Sequence, residues 1–225
     1  MRKSYLFLCA IASIGSLYSC QKSTRVESSK TSPEVIASVS STTATEECGQ
    51  FRTQTQGGWG APPHGNNPGA YLHANFAAAF PGGLTVGCAS GNWVAYTSAL
   101  AITEFLPAGG TPGVLKTSVT NPPNKSIKNV LIGQVTALAL SVGFDSYDPN
   151  FAPAEIHLSD MVIGSGTFAG KTVGEFLTIA NDILGGCSDA YSPTAINEEA
   201  SKINENFDDG KSDNGFLVCP GPRNR

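Results

Sequence analysis

SIKNVLIGQVTALALSVG, residues 126–143, places apolar side chains on nearly every side of a helical wheel: Ile127, Val130, Leu131, Ile132, Val135, Leu138, Ala139, Leu140 and Val142. A helix that is apolar all round is stable only when other elements enclose it. The segment therefore predicts the central helix of the domain. It is shorter than the roughly 20 apolar residues a membrane span requires, and Gln134, Thr136 and Ser141 interrupt it. Gly143 is the expected C-terminal stop.

Helices that would wrap this rod lie on both sides of it. Toward the C-terminus, residues 144–153 predict a loop carrying Asp145, Asp148 and Asn150, and residues 158–164 a strand or buried connection. Thr172-Val173-Gly174-Glu175 matches a capping box, in which the hydroxyl and the carboxylate each accept the other residue's backbone N–H. It opens a helix with Val173, Phe176, Leu177, Ala180, Ile183 and Leu184 in one stripe, stopped by Gly185-Gly186. Ser192, with Pro193 behind it, caps a last helix. There Ile196, Ala200, Ile203 and Phe207 should face inward, and Glu198, Glu199, Lys202 and Glu205 should face water.

Toward the N-terminus, Leu72, Phe76 and Phe80 recur at helical spacing until Pro81-Gly82-Gly83 ends the run. Residues 84–88 have strand character, and Tyr96-Thr97-Ser98 precede a short helix, ALAITEFL, closed by Pro107. The section from there to Lys125 is irregular. Residues 48–60, CGQFRTQTQGGWG, predict a short strand or extended arm, followed by the turn-forming APPHGNNP. The expected fold is mainly α: a compact, bundle-like domain around a buried helix at 126–143, with a few short strands and long Gly/Pro/Asn-rich loops.

Residues 1–19 carry a basic start (Arg2, Lys3), an apolar run and small residues, which together form a signal peptide. The end of that stretch, Leu17-Tyr18-Ser19-Cys20, resembles a bacterial lipobox, which implies a lipid on Cys20 and membrane attachment without a spanning helix. The Ser/Thr-rich residues 20–47 cannot bury enough apolar surface to fold and should tether residues 48–225, a single globular domain. Without Arg2 and Lys3, 12 basic residues stand against 18 acidic ones, a net charge of −6 that argues against a nucleic-acid partner. Four cysteines then remain: Cys48, Cys88, Cys187 and Cys219. In an exported chain they predict two disulfides out of three possible connectivities. Pairing Cys48 with Cys219 and Cys88 with Cys187 would staple the two ends of the domain. Such a chain belongs to the outer membrane, facing the periplasm or the cell exterior.

The segments TQTQGGWGAPPHGNNPGAYL, GFDSYDPNF, NDILGGC and INENFDDG resemble a domain that recurs in exported and surface proteins of the Bacteroidota. More distantly, Thr55-Gln56-Gly57-Gly58-Trp59 is similar to the TQGYW-type opening of other bacterial surface proteins. The resemblance spans nearly all of residues 48–219. It implies export and the domain boundaries, and it transfers no catalytic residue.

Several residue groups carry possible chemistry. Ser165 to Thr172, SGTFAGKT, is close to a phosphate-binding loop, but Ser165 stands where the first glycine belongs. His64, His73 and His157 would be the ligands of a zinc-dependent hydrolase, although no short ligand spacing accompanies them. Asp145, Asp148 and Asn150 form an oxygen-rich cluster suited to calcium, the one cofactor the composition suggests; Asp208, Asp209, Asp213 and Asn214 form another. Trp59, Tyr71, Trp93 and Tyr96 lie in or beside Gly/Asn-rich loops, where aromatic faces and amides together hold sugar rings. No nucleophile stands beside a credible base. The expected function is a non-catalytic adhesion, assembly or structural role with an envelope protein or glycan as partner. A carbohydrate-binding module is the alternative, and the metal-dependent hydrolase a second one.

Overall fold

The computed structural model describes residues 48–123 and 126–221. The expected signal peptide at 1–19, lipidation site at Cys20 and tether at 20–47 lie outside the described residues. Within them the chain forms α1 (Gln56–Trp59), α2 (Pro68–Ala79), β1 (Leu84–Gly87), β2 (Trp93–Tyr96), α3 (Ala99–Phe105), β3 (Val119–Thr120) and α4 (Val130–Tyr147). A 3-10 turn (Leu158–Asp160) then leads to β4 (Val162–Ile163), α5 (Val173–Gly185), α6 (Pro193–Asn206) and β5 (Leu217–Val218). The domain is rich in helix, with few and short strands. β1 and β2 pair antiparallel with Val86 opposite Val94, β3 joins β2 in parallel, and β4 pairs antiparallel with β5.

α4 is the rod around which the rest is packed, with α6, α5, α2, α1 and β1 against it. Against the expectation that the segment is too short and too interrupted for a membrane span, α4 meets that requirement by length and composition, but 61% of it is buried inside the protein. Its enclosure, rather than its sequence, separates it from a span. The three polar residues that interrupt the apolar run each tie α4 to a different element. Thr136 shares a hydrogen bond with the Tyr96 hydroxyl on β2 at 3.3 Å. Ser141 accepts from the backbone N–H of Gln54 and from Trp59 Nε1. Gln134 accepts from Asn204 Nδ2 on α6, both at its backbone oxygen and at Oε1. A buried polar group is tolerated when it is satisfied, and each of these also fixes a neighbour's position.

The boundaries of α4 differ from expectation at both ends. It starts at Val130 because Asn129 caps it, its Oδ1 accepting from Leu131 N–H and from Gly113 N–H of the preceding loop. It continues through Gly143 to Tyr147, so Gly143 is no stop. The ring of Phe80 occupies the space that a side chain at 143 would fill, and the glycine serves this close approach. Asp145 consequently belongs to the last turn of the helix rather than to a loop. Three further expectations are corrected. Residues 48–60 are not one strand or arm, since Thr55 caps the short helix α1 within them. The irregular section before α4 contributes β3. Glu199 does not face water: it is 3% exposed, with Lys202 Nζ 3.6 Å from its Oε2 and the turn at Gly166 above it. Burial pushes its carboxyl above the usual range.

The capping box at Thr172 and Glu175 forms in both directions, and Ser192 caps α6 with Pro193 in the first turn. Both disulfides join the expected partners, Cys48 with Cys219 and Cys88 with Cys187. Cross-links of this kind persist in oxidising compartments.

Candidate functional site

The arm at 49–55 is held by the turn that follows α6. Thr53 N–H donates to Phe207 O, Asp209 N–H donates to Thr53 O, and Phe207 N–H donates to Thr53 Oγ1, all within 3.1 Å. In extended backbone, side chains alternate between faces. Phe51 and Thr53 point into the protein, where Phe51 stacks on Phe207 at 5.2 Å, and Arg52 points the other way. Its guanidinium lies over the Phe151 ring, 5.5 Å from the centroid. Opposite the arm, Asn67 starts α2, its Oδ1 accepting from Ala70 N–H at 2.8 Å and from His64 N–H at 3.2 Å. The helix then presents Tyr71, Ala74 and Asn75, the i, i+3 and i+4 positions of one face.

Between these walls lies a cleft of about 590 Å³, backed by Trp59 and Phe151 and lined by Arg52, Gln54, Asn66, Tyr71, Asn75 and Asp209. That is within the usual range for small-ligand sites, about 300–1,000 Å³. The Tyr71 hydroxyl donates to Asp148 Oδ2 at 2.7 Å, pinning α2 to the end of α4. The same bond holds the Asp148 carboxyl below the usual range, and burial followed by Asp148 pushes the Tyr71 phenol up. Asp209 accepts from Lys211 Nζ and from Gln54 Nε2, and Lys211 foremost keeps its carboxyl low. Arg52 is different: among the described residues it makes neither a hydrogen bond nor an ion pair, although its Nε is buried.

The structure divides the aromatic residues singled out in the sequence. Trp59 and Tyr96 are fully buried, so neither presents a face to a sugar. Trp59 packs against Phe144 and Phe151 and donates Nε1 to Ala137 O at 3.2 Å; Tyr96 packs beside Phe105. Each phenol or indole polar atom is satisfied from within the core, which is why loop-flanked aromatics ended up inside. Tyr71 is half-buried in the cleft, and half-buried Trp93 lines a smaller, separate hollow of about 350 Å³ with Thr85, Ala89 and Ala95.

The oxygen-rich cluster is likewise divided. Asp145 is buried and accepts from Leu158 N–H at 2.8 Å and from His157 Nδ1 at 3.2 Å, while Asp148 is engaged with Tyr71 and with the backbone N–H and side-chain amide of Asn150. Asp145 and Asp148 thus serve different partners. Asp209 lines the cleft, whereas Asp213 accepts from Gly215 N–H and Asn214 donates to Glu205 O, away from Asp209's partners. The histidines do not meet: His64 lies in the exposed loop before α2, His73 bonds Thr103 on α3, and His157 bonds Asp145. Among the described residues the one metal-like grouping is Cys88, Asp182 and Cys187, and its two sulfurs are bonded to each other. Residues 165–172 fold around buried Phe168, and Gly170 and Lys171 give their N–H groups to Ile163 O and Phe168 O. Glu175 takes the N–H of Thr172, so the amides that a phosphate would need are occupied.

Asp145 yields a test that separates burial from hydrogen bonding. Burial raises its carboxyl despite the Leu158 and His157 bonds. Asp145→Ala strands a buried N–H and is expected to cost about 1–3 kcal/mol in urea unfolding. Asp145→Asn keeps an acceptor and removes the charge, so it should fall close to the wild type at pH 7. Because the folded carboxyl titrates above the unfolded one, its stabilising share is present below the unfolded pKa and lost as pH rises through the folded one. The wild type should therefore gain on Asp145→Asn between pH 7 and pH 4; an unchanged gap in Tm would show that burial does not penalise this charge.

Sequence reasoning missed Arg52, Gln54, Asn66, Asn75 and Phe151 as a group. The signal available was the alternation in QFRTQTQ, which puts Arg52 opposite Phe51 and Thr53. Comparison with known proteins finds no match for the chain, whether among family models, curated proteins or solved structures.

Proposed function

We propose that the chain is an exported, outer-membrane lipoprotein, anchored through Cys20, whose domain binds carbohydrate in the cleft between the 49–55 arm and α2 without altering it chemically. Adhesion or assembly at the cell envelope is the use such binding serves. The observation that carries this reading is the lining itself. Half-buried Tyr71 offers a ring, and Asn66 and Asn75 offer amides, the combination that stacks on a sugar's apolar face and bonds its hydroxyls. Three of the four segments that resemble the Bacteroidota surface-protein domain supply cleft residues: Gln54 to Tyr71, Phe151 and Asp209. The disulfides agree with an extracytoplasmic site of action.

The test uses the full chain on a broad array of bacterial and plant glycans. Ala74 is exposed on the cleft wall, so Ala74→Trp should fill the cleft without disturbing the core. Binding that falls at least tenfold in this variant at unchanged Tm supports the proposal; silence of the wild type across the array overturns it. Labelling with radioactive palmitate should mark the wild type and leave Cys20→Ala unmarked.

A further inference from the structure

Resting on the carbohydrate reading above, we infer that the ligand is acidic: a saccharide bearing uronic-acid carboxylates, one of which is held by Arg52. Two charged side chains line the cleft. Asp209 is bonded by Lys211 and Gln54, and it feels the charge of Arg52 without forming a hydrogen bond or ion pair with it. Arg52 has no acceptor at all among the described residues. Its Nε is buried, and the turn after α6 runs beside it: a Cβ at Gly210 would lie 3.4 Å from Nε, at van der Waals distance. Gly210 also has a φ of +68°, a conformation that disfavours a side chain, so the space beside Nε stays free of one.

The guanidinium rests on the Phe151 ring, 5.5 Å from its centroid. Its terminal nitrogens are left without protein partners. A planar fork of N–H donors, unpaired and backed by an aromatic ring, matches a carboxylate in two parallel hydrogen bonds. In a partly desolvated cleft such a bond is stronger than its counterpart in water, and an unmet donor there is correspondingly costly. A peptide carboxylate offers the same charge. The half-buried Tyr71 ring and the amides of Asn66 and Asn75 favour a saccharide, because they suit flat C–H faces and hydroxyls rather than apolar side chains. With the mature chain at a net charge of −6, attraction for a polyanion must come from this local cation and not from the overall field.

The decisive experiment is calorimetric titration of the full chain with oligomers of galacturonate, glucuronate and mannuronate. Each is paired with its carboxyl-reduced form, which is the same chain with neutral hexoses. At least one acid oligomer should bind tenfold or more tightly than its reduced partner and weaken as salt is raised. Arg52→Gln should abolish that preference while the domain stays folded, its Tm lowered only by the lost contact with Phe151. Ala74→Trp should abolish binding of both forms. Equal or tighter binding of the reduced oligomers overturns the inference and leaves the carbohydrate reading standing. No binding of any oligomer, with neutral glycans silent on the array as well, overturns both. Arg52-dependent capture of an acidic peptide with no saccharide binding overturns the choice of ligand class.

Discussion

Replacing Cys48 and Cys219 together by serine is expected to destabilise the domain by about 3–5 kcal/mol, the upper figure being the loop-closure entropy of a cross-link this long. The two cysteines are 171 positions apart, so the bridge closes nearly the whole folded chain into one loop. The native contacts around it are local and modest: Gly49 pairs with Ala154, and Glu155 N–H donates to Cys48 O. Most of the effect should therefore appear as freedom restored to the unfolded chain. The folded consequence is fraying of the arm that carries Arg52 from the turn that carries Asp209, because the bridge anchors the arm's start. Urea unfolding of the double variant, beside the wild type with and without reductant, gives the number. Removing Cys88 and Cys187, 99 positions apart, should cost about as much in the same entropic model. A loss below about 1 kcal/mol for the first pair would mean that the bridge does not restrain the unfolded chain as the model requires.

The parts of this fold that were legible in the sequence are those set by short-range rules. The Thr172 and Glu175 capping box, the Ser192 cap, the 68–79 helix and the apolar rod of α4 each declare themselves within a few residues. What was not legible depends on distant partners. Gly143 has the composition of a helix stop and becomes a contact point because Phe80, far along the chain, needs the room. Glu199 sits on the polar side of its own helix, where Lys202 and the turn at Gly166 lie against it. The candidate site failed for the same reason in reverse. Trp59 stands in a glycine-rich stretch that suggests exposure, while Arg52, with nothing conspicuous near it in sequence, is set on the Phe151 ring in the cleft wall. An unpaired donor cannot be recognised before its surroundings are known.

Trp59→Ala is expected to cost about 3–5 kcal/mol, the range for truncating a large buried aromatic. The indole is 0% exposed, within 5.3 Å of Phe144 and 6.1 Å of Phe151 by ring centroids, and it backs the cleft while filling the space between α1 and α4. Truncation removes those contacts and opens a void that the rigid rod of α4 cannot close. Trp59→Phe should cost much less, about 1–2 kcal/mol, because the ring contacts survive and the lost hydrogen bonds are not uniquely needed. Ala137 O still accepts from Ser141 Oγ, and Ser141 Oγ still accepts from Gln54 N–H. Against a total stability of roughly 5–15 kcal/mol, the alanine variant would approach unfolding at moderate temperature. Loss of ligand binding in Trp59→Ala therefore reports a collapsed wall rather than a lost stacking surface. Denaturant titration of both variants distinguishes the two: a penalty for Trp59→Ala below about 1 kcal/mol would place the indole outside the core and restore it as a direct ligand contact.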